Sequence, residues 1–446
     1  MDGHGAGHAL AIRARAFRRP YQSQMTQILA VQTQDRRFEL ADGSGTDAVH
    51  GNPEYSYAVT QLVGDELADD PTGNLIGEGA AFTLGDGNDV VADLAGRLAL
   101  TMLEIGGSDV ESLMARFGAV QKQLADDAQL RWLGPHKGAI HLALASVTNA
   151  AFDLWARSRR QPLWELLLSL DDEALVNLID FSWVEDYCNS DDARSLLQQE
   201  RSGREIRSSI LQSGYPGYDT SVGWFDYPDE QLAENAAAAA EAGFTAMKLK
   251  VGSADLQRDL RRLQLVKNAV PEHVKIMVDA NQQWRWPQAK IACLELAQLG
   301  VYWIEEPTHP DDVLGHQRLA ELIHPHGCMM AVGEHISNRV LFKNFMQANA
   351  VDIVQVDAMR VAGVSEFLLI SMMARRAGLQ LIPHVGDMGQ LHQHLVLFNH
   401  IALGLPAAML EHIPHLQSRF VDPAQVQNGV YQTPRCPGAG MALKTE

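Results

Sequence analysis

The sequence predicts an α/β protein in which an α+β front domain precedes a barrel of eight parallel strand units. Two observations predict it. In the second half, short apolar, β-branched-rich runs recur, and every run after the first ends in or holds an ionisable residue. In the first half, alternating strand patterns give way to helical periodicity.

The front elements follow in order. Residues 26–63 read as a β-hairpin pair: Ile28, Ala30 and Gln32 alternate, and a stretch rich in Gly, Asp, Asn and Pro, residues 42–53, forms a loop before the second strand at 55–63. Between 89 and 168, Val90, Val91, Leu94, Leu98 and Met102 recur near i, i+3 and i+4, and His141, Ala145, Asn149 and Phe152 share a later helix. Gly77-x-Gly79 lacks the third glycine of a nucleotide-binding fingerprint and reads as a turn. Residues 1–24 set Arg13, Arg15, Arg18 and Arg19 against one acid, Asp2, without the apolar core of a secretory signal. They read as a disordered leader in preference to a transit-like one, with Met25 opening a capping domain that spans 25–165.

The eight runs are residues 176–181, 246–251, 275–279, 301–305, 329–334, 351–357, 379–384 and 407–411. Lys250, Asp279, Glu305, Glu334, Asp357, His384 and Glu411, carried by the last seven, lie 23 to 29 positions apart, room for one helix and two loops. Such spacing describes a parallel sheet with crossover helices. Eight units over 166–416 close most simply into a barrel whose C-terminal strand ends form the reactive mouth. An open doubly wound sheet alternates strands and helices in the same way and is the alternative. The long connection between 181 and 246 contains Ser213-Gly-Tyr-Pro-Gly-Tyr-Asp-Thr-Ser and reads as a lid or as packing for the front domain. Residues 417–446, with Pro423, Pro434 and Pro437, read as a tail that packs on the capping domain and does not extend the barrel.

Composition excludes several classes. The 446 residues are 46% hydrophobic and 20% charged, which rules out disordered, collagenous and coiled-coil chains. A net charge of −19 repels nucleic acid and anionic lipid. No apolar run approaches the roughly 20 residues that span a bilayer. Cys188, Cys293, Cys328 and Cys436 are scattered without a C-x-x-C pair, which suits a reducing, cytoplasmic compartment and argues against a zinc site. His392, His394 and His400 match no common ligand spacing and read as a packed or solvated helix face.

At a barrel mouth, Asp279, Glu305 and Glu334 end three consecutive strands, and three hard oxygen ligands converging there suit Mg2+. Any one of them alone reads as a loop carboxylate; together they would repel one another unless a cation sits between them. Lys248 and Lys250, two apart on a strand, share a face, and one ammonium beside another lowers both pKa values toward a neutral base. Asp357 ends the strand beside that of His384 and can fix its tautomer and favour its protonated form. Glu411, on the last strand, can reach a substrate oxygen. A metal, a base and an acid on another wall suit proton abstraction next to a carboxylate followed by loss of a β-hydroxyl. A Lys base paired with Mg2+ at an ene-diolate is a known arrangement for such chemistry.

The segments Gln129-Leu-Arg-Trp-Leu-Gly-Pro-His-Lys-Gly, Asn149-Ala-Ala-Phe-Asp-Leu-Trp-Ala, Lys248-Leu-Lys250-Val-Gly, Val278-Asp279-Ala-Asn281-Gln, Trp303-Ile-Glu305-Glu-Pro-Thr, Gly333-Glu334-His, Gln355-Val-Asp357 and Pro383-His384 resemble the acid-sugar dehydratases of the enolase superfamily, the L-fuconate dehydratases in particular. The resemblance runs from about Thr26 to Leu416. It implies a (β/α)7β modified TIM barrel under an N-terminal α+β capping domain, with Mg2+ on Asp279, Glu305 and Glu334. By the same resemblance Lys250 takes the C2 proton of an aldonate such as L-fuconate, and His384 with Asp357 expels the 3-hydroxyl, giving a 2-keto-3-deoxy acid. Lys248, Asn281 and Glu411 would meet the substrate, and the 42–53 loop would close over it. After His384 the chain reads Val385-Gly386-Asp387-Met388-Gly389-Gln390 and departs from the family pattern; Asp387 is expected to contact a distal hydroxyl.

The expected ligand is therefore a small acid sugar bound by a homo-oligomer, without nucleic acid or membrane. Three other readings stay open: racemisation or epimerisation, which also uses bases on two faces, a metal-dependent barrel hydrolase, and a barrel kept for structure or binding. A hydrolase would want histidine ligands on the first strand, where 176–181 has none. A structural barrel has no need of Lys250 and His384 opposed across a metal.

Overall fold

The computed structural model describes residues 26–65, 75–386, 388–406 and 408–445. The leader, Met25 and Asp387 lie outside the described residues. Strands β1 (Ile28–Phe38), β2 (Tyr55–Gly64) and β3 (Ile76–Thr83) form an antiparallel sheet in the order β1-β2-β3. The first two match the expected pair; the third corrects the turn expected at Gly77-x-Gly79. Those glycines lie within β3 because the Gly138–Ser158 helix presses directly on it. A Cβ at Gly79 would collide with the Ala150 amide and the Ser146 carbonyl, and one at Gly77 with Leu154. Without side chains of their own the two positions give no alternation for a sequence pattern to register.

The Gly138–Ser158 helix is buried on nearly all sides, from Ile140 through Ala156. It packs on the sheet with one face and on the barrel with the other. Asn149 joins the two: its amide nitrogen donates to the carbonyls of Ala80 (3.2 Å) and Ala358 (2.9 Å), and its oxygen accepts the Val364 N–H (3.1 Å).

Eight parallel strands follow: β4 (Tyr215–Gly223), β5 (Ala246–Lys250), β6 (Lys275–Asp279), β7 (Trp303–Glu305), β8 (Met329–Val332), β9 (Ile353–Val354), β10 (Gln380–Leu381) and β11 (Leu410–His412). They lie side by side in sequence order from β4 to β10, with β11 on the other side of β4. Between β10 and β11 the ring is bridged by the Val385 N–H donating to Glu411 Oε2 at 3.1 Å. A helix occupies each of the seven intervals, so the α/β class and the (β/α)7β barrel under a capping domain are what the chain adopts. Inside the barrel Tyr218, Ala246, Met277, Trp303, Ala331, Ile353 and Ile382 form an apolar layer below the strand ends.

The first strand is not where the runs placed it. Residues 176–181 belong to the end of the Asp172–Asn177 helix and the turn after it; Asp171 caps that helix by accepting the Ala174 N–H at 2.7 Å. The apolar residues there are the buried face of a short helix. The real first strand, β4, lies in the long connection read as a lid, disguised by Asp219, Thr220 and Ser221. It too lacks histidine, so the argument against a hydrolase stands on the corrected strand.

The tail also differs from expectation. Strands β12 (Val426–Gln427) and β13 (Val430–Tyr431) form a hairpin, and β13 pairs antiparallel with the start of β4 through Val430↔Pro216 and Tyr431↔Tyr215. The tail thus adds to the sheet at the end away from the mouth. Beyond it the chain returns to the front domain, where the Ala439 N–H donates to Asp153 Oδ1 (2.5 Å) and the Leu443 N–H to Glu78 Oε1 (2.8 Å).

Because neither β3 nor the helix backbone can yield at Gly79, Gly79→Val is expected to cost about 3 kcal/mol of unfolding free energy in urea titrations. A loss below about 0.5 kcal/mol would show that helix and sheet separate freely.

Candidate active site

Strand register assembles the site. Lys250 pairs with Asp279 across β5 and β6, and Asp279 with Glu305 across β6 and β7, so three charged residues stand abreast at neighbouring strand ends. The two-residue period of β5 points Lys248 to the same side, one layer deeper. Lys248 Nζ meets Glu411 Oε1 at 2.7 Å, Glu305 Oε1 at 2.9 Å and Asp279 Oδ2 at 3.6 Å. Lys250 Nζ donates to Asp279 Oδ2 at 2.6 Å and to Asn281 Oδ1 at 3.0 Å. Asn281 takes a left-handed conformation (φ 43°), tolerable for its short amide, and donates onward to Glu334 Oε1 at 3.1 Å.

On the far side His384 Nε2 lies 2.7 Å from Glu334 Oε2, and its Nδ1 lies 2.8 Å from Asp357 Oδ2. Glu411 Oε1 accepts from Thr220 Oγ1 at 2.5 Å. Of the sequence-predicted residues, Lys248, Lys250, Asp279, Asn281, Glu305, Glu334, Asp357, His384 and Glu411 therefore form one connected cluster; Asp387 lies outside the described residues.

All of these residues are buried, and burial sets their protonation. The lysine expectation needs correction. Burial works against both ammoniums, but Glu305 and Glu411 hold Lys248 well above its ordinary range, and Asp279 raises Lys250. The carboxylates outweigh the ammonium–ammonium repulsion on which the expectation rested. Burial and the neighbouring Asp279 push Glu305 up to about 8. Burial also opposes charge on His384, yet Glu334 and Asp357 hold it well above the usual imidazole range. Asp357 itself is lowered, because His392 and His384 outweigh its burial.

One oxygen each from Asp279, Glu305 and Glu334 lies within 4.8 Å of the others. Three buried carboxylate oxygens at that spacing, with no thiolate or imidazole among them, are a donor set for a hard divalent cation. Glu306, Glu334 and His335 form a second such group that shares Glu334.

Several residues at the site were not singled out by the sequence. Gln355 Nε2 donates to Glu305 Oε2 at 2.7 Å. His335 Nδ1 lies 2.9 Å from Glu306 Oε2, and Glu306 raises it to about 10 against its burial. Both positions stand in segments quoted for the resemblance, which was the available signal. His392 Nε2 lies 3.0 Å from Asp357 Oδ1, which corrects its reading as an ordinary packed helix face. From the capping sheet, Phe82 approaches the His384 ring at 6.5 Å, and the 42–53 loop is held to the barrel by the Phe225 N–H donating to the Thr46 carbonyl at 3.0 Å.

Comparison with known proteins agrees with this architecture. The family described as "Enolase C-terminal domain-like" matches residues 231–446. Mitochondrial enolase superfamily member 1 of Homo sapiens is 38% identical over 425 residues, 94% of each chain, and the crystal structure of the human protein superposes with a TM-score of 0.89 over 95% of both. L-galactonate dehydratase of Hypocrea jecorina is 34% identical over 94% of this chain and 92% of its own. The L-talarate/galactarate dehydratase of Salmonella typhimurium LT2, solved with Mg and L-lyxarohydroxamate, shares the fold at a TM-score of 0.72 and 24% identity, over 97% of this chain and 96% of that one. With relatives of such identity along nearly their whole length, this chain belongs to the enolase superfamily.

Proposed function

We propose that this protein is a Mg2+-dependent acid-sugar dehydratase that removes the C2 proton of an aldonate such as L-fuconate and eliminates the 3-hydroxyl, leaving a 2-keto-3-deoxy acid. One observation carries the reading. Lys250 and His384 contact opposite ends of the same three-carboxylate group, Lys250 at Asp279 (2.6 Å) and His384 at Glu334 (2.7 Å). A base and an acid so placed can work on two faces of one bound substrate. The Hypocrea jecorina relative, an L-galactonate dehydratase, supports the reaction class.

Asp279, Glu305 and Glu334 would hold the cation, which when bound stabilises the negative charge that develops on a substrate carboxylate during proton abstraction. Lys248, buried among carboxylates and fixed as an ammonium, is a positive neighbour for that charge. Asp279 raises Lys250 while that carboxylate is free; with Asp279 turned to the cation, Lys250 would be relieved of that charge and in its neutral form takes the C2 proton, and Asn281 then holds the ammonium produced. His384, protonated, gives its Nε2 proton to the departing 3-hydroxyl; the C3–O bond breaks and water leaves. Asp357 keeps its charge and steadies the ring at Nδ1. The resulting enol takes a proton at C3 to become the keto acid.

The reading is tested by incubating the protein with Mg2+ and a panel of aldonates and aldarates and assaying 2-keto-3-deoxy acids. A C2 epimer in place of a keto acid would favour racemisation, and no change in any substrate would reject the reading. Lys250→Met is expected to lower kcat by about 10²–10⁴-fold and to abolish exchange of the C2 proton in D2O. His384→Asn is expected to lose elimination to a similar extent while retaining exchange. Mg2+ at a hundred times its Kd should stabilise the wild type by about 2.7 kcal/mol in thermal unfolding, and Glu305→Gln should remove most of that gain. Equal stabilisation of both proteins would place the ion elsewhere.

A further inference from the structure

Asp357 is shared between two histidines. Its Oδ2 lies 2.8 Å from His384 Nδ1, while its Oδ1 lies 3.0 Å from His392 Nε2 and accepts the Met359 N–H at 2.7 Å. The same His392 nitrogen also accepts the Ala358 N–H at 3.0 Å. The other polar group of that residue, the Ala358 carbonyl, accepts from Asn149 at 2.9 Å. Both polar groups of the residue following Asp357 are thus held by side chains, one from the capping helix and one from the barrel helix Leu391–Leu403. His392 is itself 2% exposed, with the Phe367 ring edge-on at 6.3 Å.

We propose that His392 is a positioning residue for the acid step: through one ring nitrogen it holds either the Asp357 carboxylate or the backbone after it, and in each case Oδ2 stays on His384. With a proton on Nε2 it donates to Oδ1; with none it accepts from Ala358. In the first form a turn of the Asp357 carboxylate breaks its bond to Nε2; in the second the backbone next to Asp357 is pinned, and in both the Met359 N–H holds Oδ1. This proposal rests on the dehydratase reading, and its test separates the two.

The test measures elimination and C2 exchange in D2O for His392→Phe, His392→Gln and His392→Asn, each checked by thermal unfolding. Phe keeps a planar ring without nitrogen. It is expected to lower kcat for elimination by about ten- to a hundredfold, with KM within about twofold, while exchange at C2, which depends on Lys250, stays at the wild-type rate. Gln can place an amide where Nε2 stood and should restore most of the elimination; Asn, whose amide falls short, should not. A folded Phe variant with wild-type elimination would overturn the proposal, as would equal losses of elimination and exchange. If Phe does not fold, the Gln–Asn pair decides, and equal elimination rates in those two variants would overturn it. Absence of turnover in the wild type would instead remove the dehydratase reading.

Discussion

Burying a carboxylate costs several kcal/mol unless cations or well-placed donors meet it, and this barrel mouth buries several, among them Asp279, Glu305, Glu334, Asp357 and Glu411. The surrounding structure answers that cost. Lys248 stands between Glu305 and Glu411, Lys250 sits on Asp279, and His384 spans Glu334 and Asp357. Below them the apolar layer around Trp303 keeps water from the barrel interior, and Trp303 turns its indole N–H up to Glu305 Oε2 at 3.3 Å. Above them the capping sheet brings Phe82 beside His384. Removing one cation would leave an uncompensated charge, so the cluster behaves as a unit and its residues are not interchangeable contributors.

Much of this arrangement is written in the sequence because each inward strand end carries its own ionisable side chain. The runs ending at Lys250, Asp279, Glu305, Glu334, Asp357, His384 and Glu411 all lead into the observed mouth. Where pattern reading failed, the cause is physical. In β4 the residues Asp219, Thr220 and Ser221 lie at the very strand that closes the barrel, and polar groups there hide it. In β3 the glycines are imposed by a helix backbone at contact distance, and a glycine has no face to alternate. His392 was read only as a helix-face residue because nothing in a helical period tells a histidine turned toward a carboxylate from one turned toward a neighbouring helix. The lysine protonation was misjudged because pairwise repulsion was weighed without the acids that only the fold brings near.

The seam between the front domain and the barrel has a function beyond burial. Asn149 ties the capping helix to the segment that follows Asp357, and Gln121 Nε2 donates to the Ala362 carbonyl at 2.6 Å in the same segment. Tyr57 donates to the Gly386 carbonyl at 3.0 Å, two residues past His384. The His384 side of the site is thus held from the cap, whereas the Lys250 side, on β5 and β6, is held by the barrel's own ladder. In the proposed reaction the two halves would draw their rigidity from different parts of the chain.

The return of the C-terminal segment to Asp153 and Glu78 has a consequence for traffic. The last stretch of polypeptide works as a strap: it leaves the barrel floor at β13 and buckles onto the opposite unit, and a wide hinged gape between the two would have to tear it loose. The 42–53 segment is a second tie between the same two units, since its Thr46 carbonyl accepts the Phe225 N–H.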